Sequence, residues 1–276
     1  MLFSILIAHY NNYEYFLDCY RSIQNQTYKD FEIILVDDCS TDDSFEKIKE
    51  LAKANSRFRL FRNDENKGVG FTKRKCVELA TGEICGFVDP DDAITENALE
   101  ICIEKYYDKI IIATYSQFYL CNENLEPKKV FRNTHKIKNK NPFFFNINFE
   151  VAHFFTFKKN AYLETEGINP HLTSAVDQDL YLKLYEAGTF KYINEPLYLY
   201  RLHEKGVSQQ KNKKEKLNSN WNVVLKNTLK RRNQRHLYGK NISEIKSLQH
   251  FIKKNQTSFL KKIIRFLMIF KPNSQH

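Results

Sequence analysis

The chain has 276 residues, 42% hydrophobic and 28% charged, enough to bury a substantial core and too evenly mixed for a disordered or fibrous polymer. Its formal net charge of +10 is unevenly placed: residues 205–276 hold 18 Lys+Arg against 2 Asp+Glu, a net of +16, and residues 1–204 hold 25 against 31, a net of −6. A near-neutral catalytic or binding body, residues 1–205, therefore carries a basic helical arm, residues 206–276, whose partner is an anionic surface.

Residues 3–8 (FSILIA) and 31–36 (FEIILV) are short apolar runs rich in β-branched residues, the pattern of strands buried on both faces of a parallel sheet. The first run lacks a basic flank and is too short for a signal peptide. Between the two, Phe16, Leu17, Tyr20 and Ile23 recur at helical spacing, which makes a β-α-β unit. Residues 40–44 (STDDS) supply helix caps, and Phe45, Ile48, Leu51 and Ala52 line one face of a second helix. A short strand is predicted over 59–62, a helix over 72–80 that stops at Gly82, and a fourth apolar strand over 84–88. This alternation predicts an α/β fold, a Rossmann-like, mostly parallel sheet flanked by helices.

Further along, 109–119 reads as a strand, 122–148 as a polar, Asn-rich excursion with little regular structure, and 177–187 as a helix ended by Gly188. After Gly206 the pattern changes to long basic helices over 217–233 and 243–270. Within the last, Phe259, Leu260, Ile263, Ile264 and Leu267 share the helix with Lys261, Lys262 and Arg265, a cationic amphipathic pattern suited to an anionic membrane surface, the alternative being a helix that docks its apolar face on the protein's own core. No stretch approaches eighteen consecutive apolar residues, so no spanning helix is expected. Six cysteines without a CxxC pair argue against a zinc site or a disulfide scaffold and read as reduced, cytosolic thiols.

The strand over 31–36 runs into Asp37-Asp38, and ligands of parallel α/β sheets bind beyond the carboxyl ends of strands. Carboxylates there accept hydrogen bonds from a base or from sugar hydroxyls, or else cap the following helix; the residues leave both readings open. The GxGxxG fingerprint is absent after the first strand, which disfavours a nicotinamide or flavin cofactor. The strand over 84–88 ends in Asp89-Pro90-Asp91-Asp92. Acids so close repel one another, and Mg²⁺ or Mn²⁺ held by one or two carboxylates plus substrate phosphates is the usual remedy, a solvated turn being the alternative.

Five segments, FSILIAHYN, SIQNQTYKDFEIILVDDCSTDDS, NKGVGFTKRK, ATGEICGFVDPDD and SAVDQDLYLKLYEAG, resemble in order and spacing the motif series of family 2 glycosyltransferases, which are inverting nucleotide-sugar enzymes of the GT-A fold. The resemblance spans roughly residues 3–205. It implies a donor site formed by Ala8, Tyr10, Asp37, Asp38, Gly68, Arg74, Asp89, Asp91 and Arg201, with Tyr10 stacking on a base or sugar face and Arg201 clamping phosphate. It also implies a Mn²⁺ or Mg²⁺ ion held by Asp91, Asp92 and His203, and a catalytic base at Asp177. The family usually has Pro where Ala8 stands and Glu-Asp where Val176-Asp177 stand. Where it has Ala-Arg-Asn, this chain has Lys73-Arg74-Lys75, so Arg74 is the residue expected to carry over.

What the resemblance implies is transfer of a sugar from a nucleotide-sugar, a UDP-sugar, to a saccharide or lipid-linked acceptor in bacterial surface polysaccharide synthesis. The expected location is cytoplasmic, peripheral at the inner face of the cell membrane, with no nucleic-acid partner. The alternative is a non-catalytic nucleotide- or polyanion-binding protein of the same fold. A nucleotidyltransferase is disfavoured because its Gly-rich, Arg-containing loop is missing after Ile7.

Overall fold

The computed structural model describes residues 1–204 and 214–257. The first half of the chain alternates β1 (Phe3–His9), α1 (Tyr13–Gln24), β2 (Phe31–Asp37), α2 (Ser44–Lys53), β3 (Phe58–Arg62), α3 (Val69–Leu79) and β4 (Ile84–Phe87). After a two-residue strand β5 (Ala93–Ile94) come α4 (Ala98–Lys105), β6 (Ile111–Cys121), β7 (Pro127–Val130), β8 (Phe155–Lys158), α5 (Lys159–Leu163), α6 (Val176–Ala187) and β9 (Thr189–Arg201). All nine strands form one sheet in the order β3-β2-β1-β4-β8-β6-β9-β5, with β7 paired to the outer part of β6. The β3-β2-β1-β4 half is parallel throughout. Beyond β4 the sheet turns mixed, because β8 runs antiparallel to both β4 and β6 while β9 lies parallel to β6.

Period-two alternation sorts the strand residues between two cores. Phe3, Ile5, Ile7, Ile33 and Leu35 pack with Phe16, Cys19 and Ile23 of α1, Ile48 of α2 and Leu99 of α4. Leu6, Ile34 and Val36 face the other way, against Cys76 and Val77 of α3 and Leu180 and Leu184 of α6. Both faces of β1 and β2 are thus covered, which explains their uninterrupted apolar runs; each fully buried Ile, Leu or Phe contributes about 1.5–3 kcal/mol. All six cysteines are unpaired, and five are buried.

The excursion expected over 122–148 departs from its polar composition in two places. Pro127–Val130 forms β7 against β6, and Phe145 and Ile147 are pulled into a third core with Trp221, Leu225 and Leu229 of α7 (Lys214–Arg231). That core is completed by Leu237, in a small β10 (His236–Leu237) and β11 (Lys240–Asn241) hairpin, and by Leu248 and Ile252 of α8 (Leu248–Thr257). The amphipathic pattern over 259–270 falls outside the described residues. Among the described residues no helix is long and apolar enough to cross a membrane.

Candidate active site

In the order β3-β2-β1-β4, successive connections run outward from β1 and then cross back to β4, so the winding reverses between β1 and β4. The crevice beyond the carboxyl ends of those two strands is where such sheets take ligands. Asp89 stands just past β4, and α3 and α6 pack on the sheet face beneath it.

The centre of the crevice is Lys73, a residue to which the sequence reading gave no role. Its side chain, 5% exposed, places Nζ 3.0 Å from Asp89 Oδ1 and 2.8 Å from Asp177 Oδ1. The two carboxylate oxygens are therefore no more than 5.8 Å apart, the sum of those distances. Burial alone would discharge Lys73, but Asp177 and Asp89 reverse that and hold its pKa above the ordinary lysine range. For Asp89, burial pushes upward, and Lys73, with His153, outweighs it and leaves the carboxyl below its ordinary value. The sequence did carry a signal. Gly70, Lys73, Cys76 and Val77 recur at helical spacing on the buried face of α3, and a lysine in such a stripe demands a partner.

Arg74, expected at the donor, is turned away. One residue along an α-helix rotates the side chain by about 100°. Arg74 instead bonds Glu78 at 2.9 Å and the carbonyls of Glu166 and Ile168 at 3.3 and 3.2 Å.

Two backbone features bring Asp177 to Lys73. A side chain at Gly70 would put its Cβ 2.5 Å from the Leu172 carbonyl oxygen, so glycine there lets α3 approach the segment that leads into α6. Ala175, with φ +57°, turns the chain sharply at the entrance of α6, and Asp177 follows in its first turn, at the positive end of the helix dipole. Asp179, two residues further along, is buried and points elsewhere: it bonds Lys183 at 2.8 Å and accepts from the Asn169 amide. The same cleft is lined by Phe87, His153, Phe155, Leu180 and Tyr181. The His153 ring stacks on Tyr198 at 4.8 Å.

The acids at the end of β2 organise loops. Asp37 is fully buried; it meets His9 Nδ1 at 3.1 Å and accepts from Ser40 N at 2.9 Å. Burial raises its pKa, yet these bonds win and leave it lowered. Asp38 accepts from Asn63 Nδ2, Lys67 N and Gly68 N at 2.8–2.9 Å, fixing the turn that starts α3. Gly68, at φ +85°, supplies the conformation that turn requires. Ala8 packs half-buried against the core, whereas Tyr10 is 44% exposed at the rim.

The Asp91, Asp92, Arg201 and His203 group comes together, but in altered roles. Asp91 Oδ2 lies 2.9 Å from His203 Nε2. Two neighbouring ligands of an octahedral Mg²⁺ or Mn²⁺, each about 2.1 Å from the ion, are separated by about 3.0 Å, so this pair fits one edge of such a site. His203 Nδ1 is buried and has no hydrogen-bond partner among the described residues. Asp92, expected as a third ligand, faces inward at 2% exposure; its oxygens accept from Tyr198 Oη at 2.8 Å and Arg201 N at 2.7 Å. Burial, with Asp91 and Asp89 nearby, drives its pKa well above the carboxylate range. Arg201, expected as a phosphate clamp, is enclosed at 2% exposure: it bonds the Asp91 carbonyl at 2.6 Å, the Glu123 carbonyl and Asp18 at 2.9 Å, with Tyr15 beneath its guanidinium. It ties α1 to the acidic turn. Among the described residues no three His, Cys, Asp or Glu side chains converge as a metal cage.

Residues 4–165 match the profile of glycosyl transferase family 2. The chondroitin synthase of Escherichia coli is 34% identical over 216 residues, covering 76% of this chain and 30% of that protein; the chain thus spans less than a third of that relative. Among solved structures, S. aureus TarS 1–349 in complex with UDP-GlcNAc superposes with a TM-score of 0.69 at 19% identity, over 83% of this chain and 67% of that one. The mannosyltransferase PcManGT of Pyrobaculum calidifontis, in complex with GDP-Man and Mn²⁺, superposes with a TM-score of 0.63 at 14% identity, over 99% and 76%. The fold is the one these transferases share.

Proposed function

The chain belongs to glycosyl transferase family 2, and from that premise we propose that it is an inverting glycosyltransferase using a nucleotide-sugar, a UDP-sugar, as donor. Its acceptor is a hydroxyl of a saccharide or lipid-linked saccharide in bacterial surface polysaccharide synthesis. The observation that carries this reading is the convergence of Asp89 and Asp177 on Lys73 at the point where the winding of the sheet reverses.

In this reading the donor diphosphate lies beyond β4, beside Asp89 and Asp91. Asp177 takes the proton from the acceptor hydroxyl as its oxygen attacks the anomeric carbon. One C–O bond forms as the C–O bond to the diphosphate breaks on the opposite face. The electron pair leaves with the nucleoside diphosphate, and the configuration inverts. Asp91 and His203 would hold Mn²⁺ or Mg²⁺, which when bound neutralises charge on the leaving diphosphate. Asp92 acts indirectly, by anchoring that turn to β9 through Tyr198 and the Arg201 amide. Asp37 and Asp38 shape the nucleotide pocket by ordering the turns after β2 and before α3, and Tyr10 is left exposed at its rim to meet a base or sugar. Residues 205–276, with their net +16, hold the body to the anionic inner face of the membrane, beside a lipid-linked acceptor.

The test is a screen of UDP-, GDP- and dTDP-sugars with Mn²⁺, following release of nucleoside diphosphate with and without excess chelator. Metal-dependent turnover of one donor class is expected. Tight nucleotide binding without turnover of any donor would favour the non-catalytic alternative.

A further inference from the structure

Lys73 Nζ holds Asp177 Oδ1 at 2.8 Å, a contact that competes with an acceptor hydroxyl for the carboxylate. We propose that Lys73 masks Asp177 until a nucleoside diphosphate binds, whereupon the ammonium moves to the diphosphate and the base is released. The proposal rests on reading Asp177 as the base. It makes transfer donor-first and keeps the base engaged when no donor is present.

The geometry supports such an exchange. Lys73 is the one cation in the described residues that contacts both Asp89, at the strand end where the diphosphate is expected, and Asp177. Its four-carbon stem swings a point charge through a few ångströms by torsions alone, which the planar guanidinium of an arginine fork does less readily. Nζ itself lies over the Phe87 ring, 5.1 Å from its centroid, an apolar face that favours neither carboxylate. The close approach of Gly70 to the Leu172 carbonyl pins α3 against the segment entering α6, so the ammonium can move while the helices stay. A diphosphate brings at least two charges and several acceptor oxygens, against one carboxylate oxygen at Asp177.

Masking predicts a coupling that neither residue shows alone, and UDP and GDP are sufficient probes. Calorimetric Kd values would be measured on the full chain at fixed Mn²⁺ for wild type, Asp177→Asn, Lys73→Met and the double variant. Freed from Asp177, Lys73 should bind the diphosphate about three- to tenfold more tightly in Asp177→Asn, and Lys73→Met should bind about tenfold or more weakly. In the double variant the gain should vanish, with Kd within about twofold of Lys73→Met. An equal gain in both backgrounds would mean that Asp177 merely repels the nucleotide, and the masking idea would be wrong. Weaker binding in Lys73→Met with no gain in Asp177→Asn would make Lys73 a plain phosphate contact. Unchanged binding in Lys73→Met would leave it a structural counter-charge; either result overturns the proposal. Should Lys73→Met fail to fold, Lys73→Gln, which keeps donors for both carboxylates, takes its place. A folded wild-type chain that binds neither UDP nor GDP would instead sink the donor-site reading itself.

Discussion

Asp177→Asn keeps the shape of the side chain and removes its charge, so it separates chemistry from architecture. The structural cost is small. Asp177 is 34% exposed, and Lys73 retains Asp89 at 3.0 Å after the change. Loss of a half-solvated ion pair costs about 1 kcal/mol, a fall of about 2–4 °C in Tm for a chain of this size. The catalytic cost is large, because an amide oxygen does not take the acceptor proton. Removing a general base lowers turnover about 10²- to 10⁴-fold, or about 2.7–5.4 kcal/mol in the barrier. The assay pairs initial rates of nucleoside diphosphate release with a thermal melt and a UDP titration on the same preparation. A near-native melt, nucleotide binding retained or tightened and a rate at least a hundredfold lower is the expected pattern. Turnover within about tenfold of wild type in a folded variant would refute the assignment of the base.

Three further outcomes are expected. Asp91→Asn should abolish the Mn²⁺ dependence of UDP binding, since it removes one of the two ligands that meet at His203; wild-type binding that is unchanged in excess chelator would remove the cation from the scheme. Glu32 is nearly buried and accepts from Ser4, Thr81 and Arg59; burial pushes its pKa up, but those bonds bring it from 4.5 to about 2. A depressed carboxyl stabilises the fold above its unfolded pKa and loses that contribution as pH falls from about 4.5 towards 2, at most about 3 kcal/mol, so Glu32→Gln should flatten the acid slope of denaturation midpoints; an unchanged slope would contradict it. Truncation after Asn255 removes Lys261, Lys262, Arg265 and the apolar residues among them, and should cost most of the flotation on anionic vesicles, with high salt releasing the full chain. Equal flotation of a folded truncation would place membrane contact elsewhere.

The elements legible in the sequence were those whose environment is uniform. β1, β2 and β4 are covered on both faces, so their apolar runs are continuous, and α6 shows its leucines and tyrosines up to Gly188. β8 is four residues long and lost among neighbouring phenylalanines, while β9 shifts register near Pro196, which blurs its alternation. At the site, the acids after β2 and β4 were legible as clusters beyond strand ends. Their individual duties were not, because those depend on partners far along the chain: Asp92 is satisfied by Tyr198 and by the Arg201 amide, 109 residues away. Lys73 and Arg74 show how narrow the margin is. They are adjacent and both basic, and only the helical phase decides which one enters the crevice.

The antiparallel pairing of β4 with β8 makes a seam through the sheet. On one side stand the parallel strands whose ends carry Asp37, Asp38 and Asp89; from the other come Asp177 and His203. Among the bonds that cross between the sides are Lys73 to Asp177 and Asp91 to His203, with Tyr198 and the Arg201 amide reaching Asp92 and the Arg201 guanidinium reaching Asp18. A graft that replaces everything after β8 therefore has a specification to meet: one carboxylate within reach of Lys73, one imidazole within reach of Asp91, and a strand in the place of β9 that pairs with β5 and β6 and satisfies Asp92. Meeting it, a foreign second half would inherit the donor chemistry while bringing its own acceptor surface, so chimeras cut at this seam are the natural route to altered acceptor choice.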